Sequence, residues 1–447
     1  MGARITESDL YAHLWCTDEL RAVFDERARL QSWLDILAAL ARAQASVGII
    51  PPESAKEITA AADVDELDLA FVAEETRRTS HSTLGLIHGL QRVLPAPASE
   101  HVYLGATVQD VTDTWTAVAM REAGQVMWRD LRAVEALLVD LADRHRDTLM
   151  VGRTHGQPGA PITFGFKAAS WADEVRRHLD RLQEGRPRWL VGQLGGAVGV
   201  LGFFGDDGPA VRAAFCAEVG LSDPGISWLT ARDRLAEFAH VLAMVCATVA
   251  RIGNEVLELQ RPEIGELREP TTTDSVGSIT MPHKRNPERS EHLDTLARLV
   301  RAGAGVLLEG MTQIHERDGR GWKAEWVAFP EVCLLAGVSL QTAIGLLAGL
   351  EVEVEAMAAN VPAGAGSERV LAALTARLGK HEAQARMHAA IHPGAGQPAA
   401  LEDTGLLDAE ELRALLATPA IAGARIMVDG VVARSRAARL AETDAWA

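Results

Sequence analysis

The chain lacks an excess of positive charge. Forty-four lysines and arginines face 61 aspartates and glutamates in 447 residues, a net charge of −17. That argues against a nucleic-acid binder, which needs a basic face to neutralise phosphates. It leaves room for an anionic substrate in a local basic pocket. Paired cysteines are missing too: Cys16, Cys216, Cys246 and Cys333 are scattered, with no CxxC and no metal-ligand spacing. They read as reduced core thiols of a cytosolic protein, with no metal and no cofactor implied. The opening MGARITESDLYAHLW has no apolar signal-peptide core, which keeps the expectation cytoplasmic. One uncharged stretch, 332–350, is long enough to raise the question of a membrane. It contains Ser339, Gln341, Thr342 and three glycines and has no second of its kind, so it reads as a helix buried in a bundle. With 48% hydrophobic and 23% charged residues, the composition is that of a soluble globular protein of two or three domains.

Proline is absent from several long stretches, and helical spacing fills them. Leu30, Trp33, Leu34, Leu37, Leu40 and Val47 recur on one face of 26–47, with Gly48 as the stop and Pro51-Pro52 beyond it. From Val108 to Arg146 the stripe is Leu131, Val134, Leu138 and Leu141; 229–260 and Glu288 to Phe329 also run without proline. A helix over 229–260 spans roughly 48 Å at 1.5 Å per residue. Helices of that length imply an all-α bundle whose members support one another. The strand signals are Ile426–Val428 and Val431–Val432 around Asp429-Gly430, a two-residue hairpin pattern. Punctuation divides the chain into an N-terminal helical domain (1–105), a central long-helix bundle (106–355) and a C-terminal helical domain (356–447).

The least helical stretch inside the bundle is Glu269 to Pro287, rich in hydroxyls and ending in His283-Lys284-Arg285. Loops that interrupt rigid helices commonly carry sites. This one suits an anion, with Pro287 starting a helix whose N-terminus adds positive dipole. On composition alone, a solvated connection between helices explains it as well.

The order of residues decides further. Gly277-Ser278-Ile279-Thr280-Met281-Pro282-His283-Lys284-Arg285-Asn286-Pro287 resembles the signature loop of the fumarase/aspartase superfamily. Gly105 to Thr114 and Gly152 to Pro158 resemble its two other shared regions, in the same order. The resemblance implies an all-α homotetramer with a twenty-helix core, each active site assembled from three subunits.

Two branches compete. The Leu14–Leu30 opening and the His315–Trp326 segment resemble bacterial 3-carboxy-cis,cis-muconate cycloisomerases. The acid–base residues resemble adenylosuccinate lyase: Ser80-His81, Arg153-Thr154-His155 and Ser290-Glu291 match its two histidine motifs and its Ser-Glu pair. A carboxylate beside a histidine fixes the tautomer and raises its basicity, so chemistry is assigned to these residues rather than to the scaffold.

That resemblance implies anti β-elimination from a succinyl group. Ser278 removes the proton beside a carboxylate; Lys284 and Asn286 stabilise the dianion; Thr107, Gln109, Arg153, Thr154 and Ser80 contact substrate; His155, oriented by Glu291, protonates the leaving nitrogen, with His81 positioning that end or sharing the role. Val108 stands where the lyase has a serine, and its nucleotide-phosphate residues are absent. The expected substrate is therefore a small N-substituted aspartate or nitrogen-bearing succinate, of the hydrazino- or nitrosuccinate kind. The rival is the cycloisomerase, which has no need of His155 and Glu291. A non-catalytic role, known in the argininosuccinate lyase branch, is the remote third reading. Gly195–Val200 resembles a dinucleotide loop only superficially and reads as a tight turn between helices. Trp322 and Trp326 are candidates for a leaving-group pocket.

Overall fold

The computed structural model describes residues 4–271, 280–281, 284–362, 365–390, 407–417 and 419–446. The N-terminal part contains α1 (Asp18–Phe24), α2 (Glu26–Val47), α3 (Pro52–Ala61), α4 (Leu69–Thr79) and α5 (Leu84–Val93). The bundle follows as α6 (Val108–Arg144), α7 (Phe164–Trp189), the short α8 (Gly208–Glu218), α9 (Asp233–Gln260), α10 (Glu288–Glu309) and α11 (Gly319–Ala348). Beyond it lie α12 (Val354–Ala359), α13 (Ser367–Leu378), α14 (Lys380–Ala390), α15 (Ala409–Ala417) and α16 (Ala422–Ala441). The fold is all-α.

Local chemistry sets the boundaries. Asp25 caps α2 by accepting from the Arg27 and Ala28 amides, and Gly48 ends it at φ 87°, a backbone that favours glycine. Asp318 likewise starts α11 by accepting from the Arg320 amide. In the bundle α9 packs on α7, α10 and α11, while α6 packs on α7 and α11. The apolar run expected to be a buried helix lies within α11, where Val332 to Leu340 are buried. One core cluster joins α2 through α11 and extends to Val428, Val431 and Val432 of α16 and to Trp446. Trp446 is fully buried and donates its indole N–H to the Leu182 carbonyl. All four cysteines are buried and unpaired.

Inside this core lies an ion-pair triad. Arg232, 1% exposed, reaches Asp113 of α6 at 2.7 and 3.0 Å and Glu325 of α11 at 2.9 and 2.5 Å. Burial of a single charge costs several kcal/mol, and only this double pairing with full hydrogen bonding offsets it.

Three expectations are corrected. Residues 426–432 are helical, not a hairpin. Ala424, Val428, Val431 and Ser435 turn one face of α16 onto α6 and α7, and Asp429 pairs with Arg146. That spacing of four, three and four residues is helical, and packing overrides the local Asp-Gly signal. The proline-free run from Glu288 breaks at 310–318 between α10 and α11, where Gly310 stops one helix and Asp318 starts the next. A hairpin absent from the expectations lies between α6 and α7: β1 (Leu149–Thr154) pairs antiparallel with β2 (Gln157–Thr163). The strands β3 (Leu267–Arg268) and β4 (Glu351–Val352) form a second short pair.

Candidate active site

The site candidates fall at two ends of the bundle. At the N-terminus of α6, Thr107 is the extended capping residue, and its amide donates to Asp110 Oδ2 at 2.9 Å. The Asp110 carboxylate also accepts from the Gly195 and Gly196 amides and from Gln193 Nε2. The glycine-rich 195–199 segment is thus a tight turn that wraps a carboxylate of its own chain. Burial nevertheless pushes Asp110 up to about 6, desolvation outweighing those four donors.

Across this turn lies Arg317, from the connection between α10 and α11. Its Nη1 donates to Thr107 Oγ1 at 2.6 Å and its Nε to Gln109 Oε1 at 3.2 Å. Gln109 is buried, and its Nε2 donates to the Leu229 carbonyl, so both ends of its amide are engaged. In this structure its amide holds Arg317 in place. Nη2 of Arg317 has no partner among the described residues. The guanidinium is therefore held as a fork beside a helix N-terminus, an arrangement that suits a carboxylate. Arg317 was not among the sequence candidates, although it lies in the His315–Trp326 segment.

The second region of the motif set lies at the other end of α6. His155 and Gly156 form the two-residue tip of the β1–β2 hairpin, at φ 51° and 73°. Both central residues at positive φ is the requirement of a type I′ turn. Thr154 and His155 are exposed. Arg153 is different: its guanidinium makes a two-pronged pair with the fully buried Glu266 at 2.7 and 2.9 Å. The substrate contact expected of Arg153 gives way to a structural pin, because Glu266 would otherwise be a buried charge relying on Asn360 Nδ2 alone.

The third region begins near the same end. Ser278 and His283 lie outside the described residues. Lys284 is exposed, and Asn286 Nδ2 donates to Glu288 Oε1 at 3.1 Å. Glu291 is exposed on the first turn of α10, and no hydrogen bond or ion pair joins it to His155 among the described residues. Its neighbour Ser290 is buried, with amide and hydroxyl on Glu269 Oε1 at 2.8 and 2.5 Å; the Arg289 amide takes Oε2. The α10 N-terminus expected to attract a ligand anion is thus occupied by Glu269.

Ser80 and His81 connect α4 to α5. Ser80 is exposed at φ 52°, and His81 is half-buried with Nδ1 facing the start of α5. Glu75 of α4 holds Arg78 at 2.6 and 2.8 Å and His88 Nδ1 at 2.8 Å, which draws its carboxyl down to about 2. Trp322 and Trp326 stack edge-to-face with each other, and Trp326 does so with Trp33 of α2. Both line a small cavity between α2, α6 and α11, and Trp326 also borders an open cleft with Arg21, Arg29 and Glu331.

Distance separates these groups. α6 has 37 residues, so roughly 55 Å of helix lies between Thr107 at its head and Arg144 at its end, beyond which the hairpin carrying His155 follows. Within α10, which runs from Glu288 to Glu309, about 27 Å of helix lies between Glu291 and the start of the connection that carries Arg317.

Known proteins agree with this architecture. The family model described as Lyase matches residues 15–302. The chain is 40% identical to N-acetyl-S-(2-succino)cysteine lyase of Dickeya dadantii (strain 3937), over 86% of this chain and 85% of that one. It is 39% identical to adenylosuccinate lyase of Pyrococcus horikoshii, over 75% and 74%. The crystal structure of 3-carboxy-cis,cis-muconate lactonizing enzyme from Pseudomonas putida superposes with TM-score 0.86 at 34% identity, covering 96% of this chain and 99% of that one. With its fold, its three motif regions and these relatives in agreement, the chain belongs to the fumarase/aspartase superfamily of lyases.

Proposed function

We propose that this enzyme releases fumarate from a 2-substituted succinate by anti β-elimination, and that the departing atom is nitrogen. The observation that carries the reading is the Arg317 fork. It is locked by Thr107 and Gln109 at the head of α6 with one nitrogen left over for a substrate carboxylate. Ser278 takes the proton from the carbon beside the other carboxylate. The C–H electron pair becomes the new double bond as the C–N bond breaks, and His155 supplies the proton to the departing nitrogen. Lys284 and Asn286 stabilise the transient dianion.

A complete site in this reading draws on more than one copy of the chain. Arg317 and His155 cannot meet around one succinyl group when a 37-residue helix stands between them. The assembly proposed is a homotetramer, with Glu291 of one copy orienting His155 of another.

A second reading has its own support. The Dickeya relative is named for a sulfur-linked succinate. A thiolate leaves without being protonated, so the two leaving groups differ in their need for His155. Fumarate would be incubated with ammonia, hydrazine, nitrite, hydroxylamine and N-acetylcysteine, with Ser278→Ala and His155→Ala alongside. Fumarate consumed with a nitrogen nucleophile and abolished by both variants supports the proposal. Consumption with the thiol alone, tolerant of His155→Ala, replaces nitrogen by sulfur. No consumption with any partner, together with turnover of carboxymuconate, would establish the cycloisomerase instead.

A further inference from the structure

The motif resemblance left the two histidines with overlapping duties, and the backbone around His81 separates them. His81 Nδ1 accepts from the Leu84 amide at 3.2 Å and from the Thr83 amide at 3.4 Å. Leu84 is the first residue of α5, so the imidazole performs the capping that a serine or aspartate side chain usually performs, satisfying amides that have no partner inside the helix. Thr83, the residue at the cap position, makes no side-chain capping bond of its own. Ser80, at φ 52°, turns the chain so that the ring folds back over these amides. A proton on Nδ1 would point into two amide hydrogens.

We infer that His81 is held as the neutral Nε2–H tautomer and serves the reaction as a fixed hydrogen-bond donor, not as the acid that gives up its proton. Nδ1 is consumed by the helix, leaving Nε2–H as the ring's one donor. A ring fixed in this way polarises or holds an oxygen or nitrogen of the substrate but cannot take its proton back through Nδ1. His155 contrasts with it. It stands at an exposed hairpin tip with no hydrogen bond to either ring nitrogen among the described residues, so none of those residues selects a tautomer. The division of labour follows: His155 exchanges the proton and His81 donates without exchanging. This deepens the elimination reading and rests on it for what the donor meets; the tautomer itself does not.

The test separates the two. Histidine-labelled protein is examined by solid-state ¹⁵N resonance near neutral pH, with His81→Gln used to assign the ring by difference. The expected result is that the signals lost in the variant are those of a neutral ring protonated at Nε2. Loss of signals from an Nδ1-protonated or doubly protonated ring would overturn the inference. Kinetics then addresses the role. His81→Asn places an oxygen near Nδ1 and keeps the cap but has no donor at Nε2. His81→Gln restores a donor there. Asn is expected to melt like the wild type and to lose about 100-fold or more in kcat/KM for fumarate release, the usual effect of deleting one donor to developing charge. Gln is expected to stay within about tenfold of the wild type, because donation requires no titratable group. Gln as defective as Asn would make His81 a proton donor and refute the assigned role. Wild-type protein that releases no fumarate would defeat the elimination reading, and the resonance experiment would still decide the tautomer.

Discussion

If the 37-residue α6 keeps the Arg317 fork and His155 at opposite ends of one chain, two dead variants should rescue each other. Arg317→Ala removes the charge-assisted contact to substrate, and His155→Ala removes the acid; each is expected to lower kcat by about 100-fold or more. Co-expressed with different affinity tags and purified through both, the two chains form hybrid assemblies. A site that takes its fork from one copy and its histidine from another is intact when both contributors are the unaffected kind. Random assembly gives each condition a chance of one half, so about a quarter of wild-type activity should return in a one-to-one mixture. The assay is fumarate release by the doubly purified hybrid against each parent. Hybrids that are verified as mixed yet no more active than their parents would refute the reasoning, since only a site built within a single chain predicts no rescue. The rescue is read with a leaving group that needs the His155 proton, since only then is the His155→Ala parent inactive.

Three further outcomes follow from the core and the fork. Arg232→Met leaves Asp113 and Glu325 buried without their cation and should cost about 3–5 kcal/mol in denaturant unfolding, against a smaller loss for Glu325→Gln, which keeps the Asp113 pair. His178 is buried with Nε2 on Thr248 Oγ1, and burial, then Arg181, hold it at about 4 against an ordinary 6.5. Unfolded chains therefore take up a proton the native state refuses: stability is fully present above about pH 6.5 and falls by about 3 kcal/mol as pH drops through 4. Thermal melts across that window should show this slope in the wild type and lose it in His178→Gln. Arg317→Lys keeps the charge but not the fork on Thr107 and Gln109, so kcat/KM should stay depressed by about tenfold or more, and full activity in Lys would argue that charge alone suffices.

Legibility varied with how local the cause was. α2 and its Gly48 stop, and the long runs of α6 and α9, were readable because period and punctuation act within a few residues. The β1–β2 hairpin was hidden by Pro158, Pro161, Gly152 and Gly159, which break the alternation that marks a strand. A two-stranded ribbon tolerates them because its edges need no full ladder. At 426–432 the Asp-Gly pair carried a turn signal that the α6–α7 surface overrode. Gly310 and the Asp318-Gly319 cap are stop and start signals without an accompanying proline, so the run from Glu288 looks unbroken in the sequence. Arg317 could not be singled out, because its partners Thr107 and Gln109 lie more than 200 residues earlier in the chain. Arg153 shows the reverse: a residue with a clear motif position whose guanidinium is committed to Glu266 by the fold.

The length of α6 also has a consequence for dosage. If chemistry needs both of its ends from different copies, a lone chain is folded material without an active site, and activity becomes a property of concentration. Near the point where copies separate, rate should rise more steeply than the first power of protein present. A cell making too little of the chain would lose turnover faster than it loses protein.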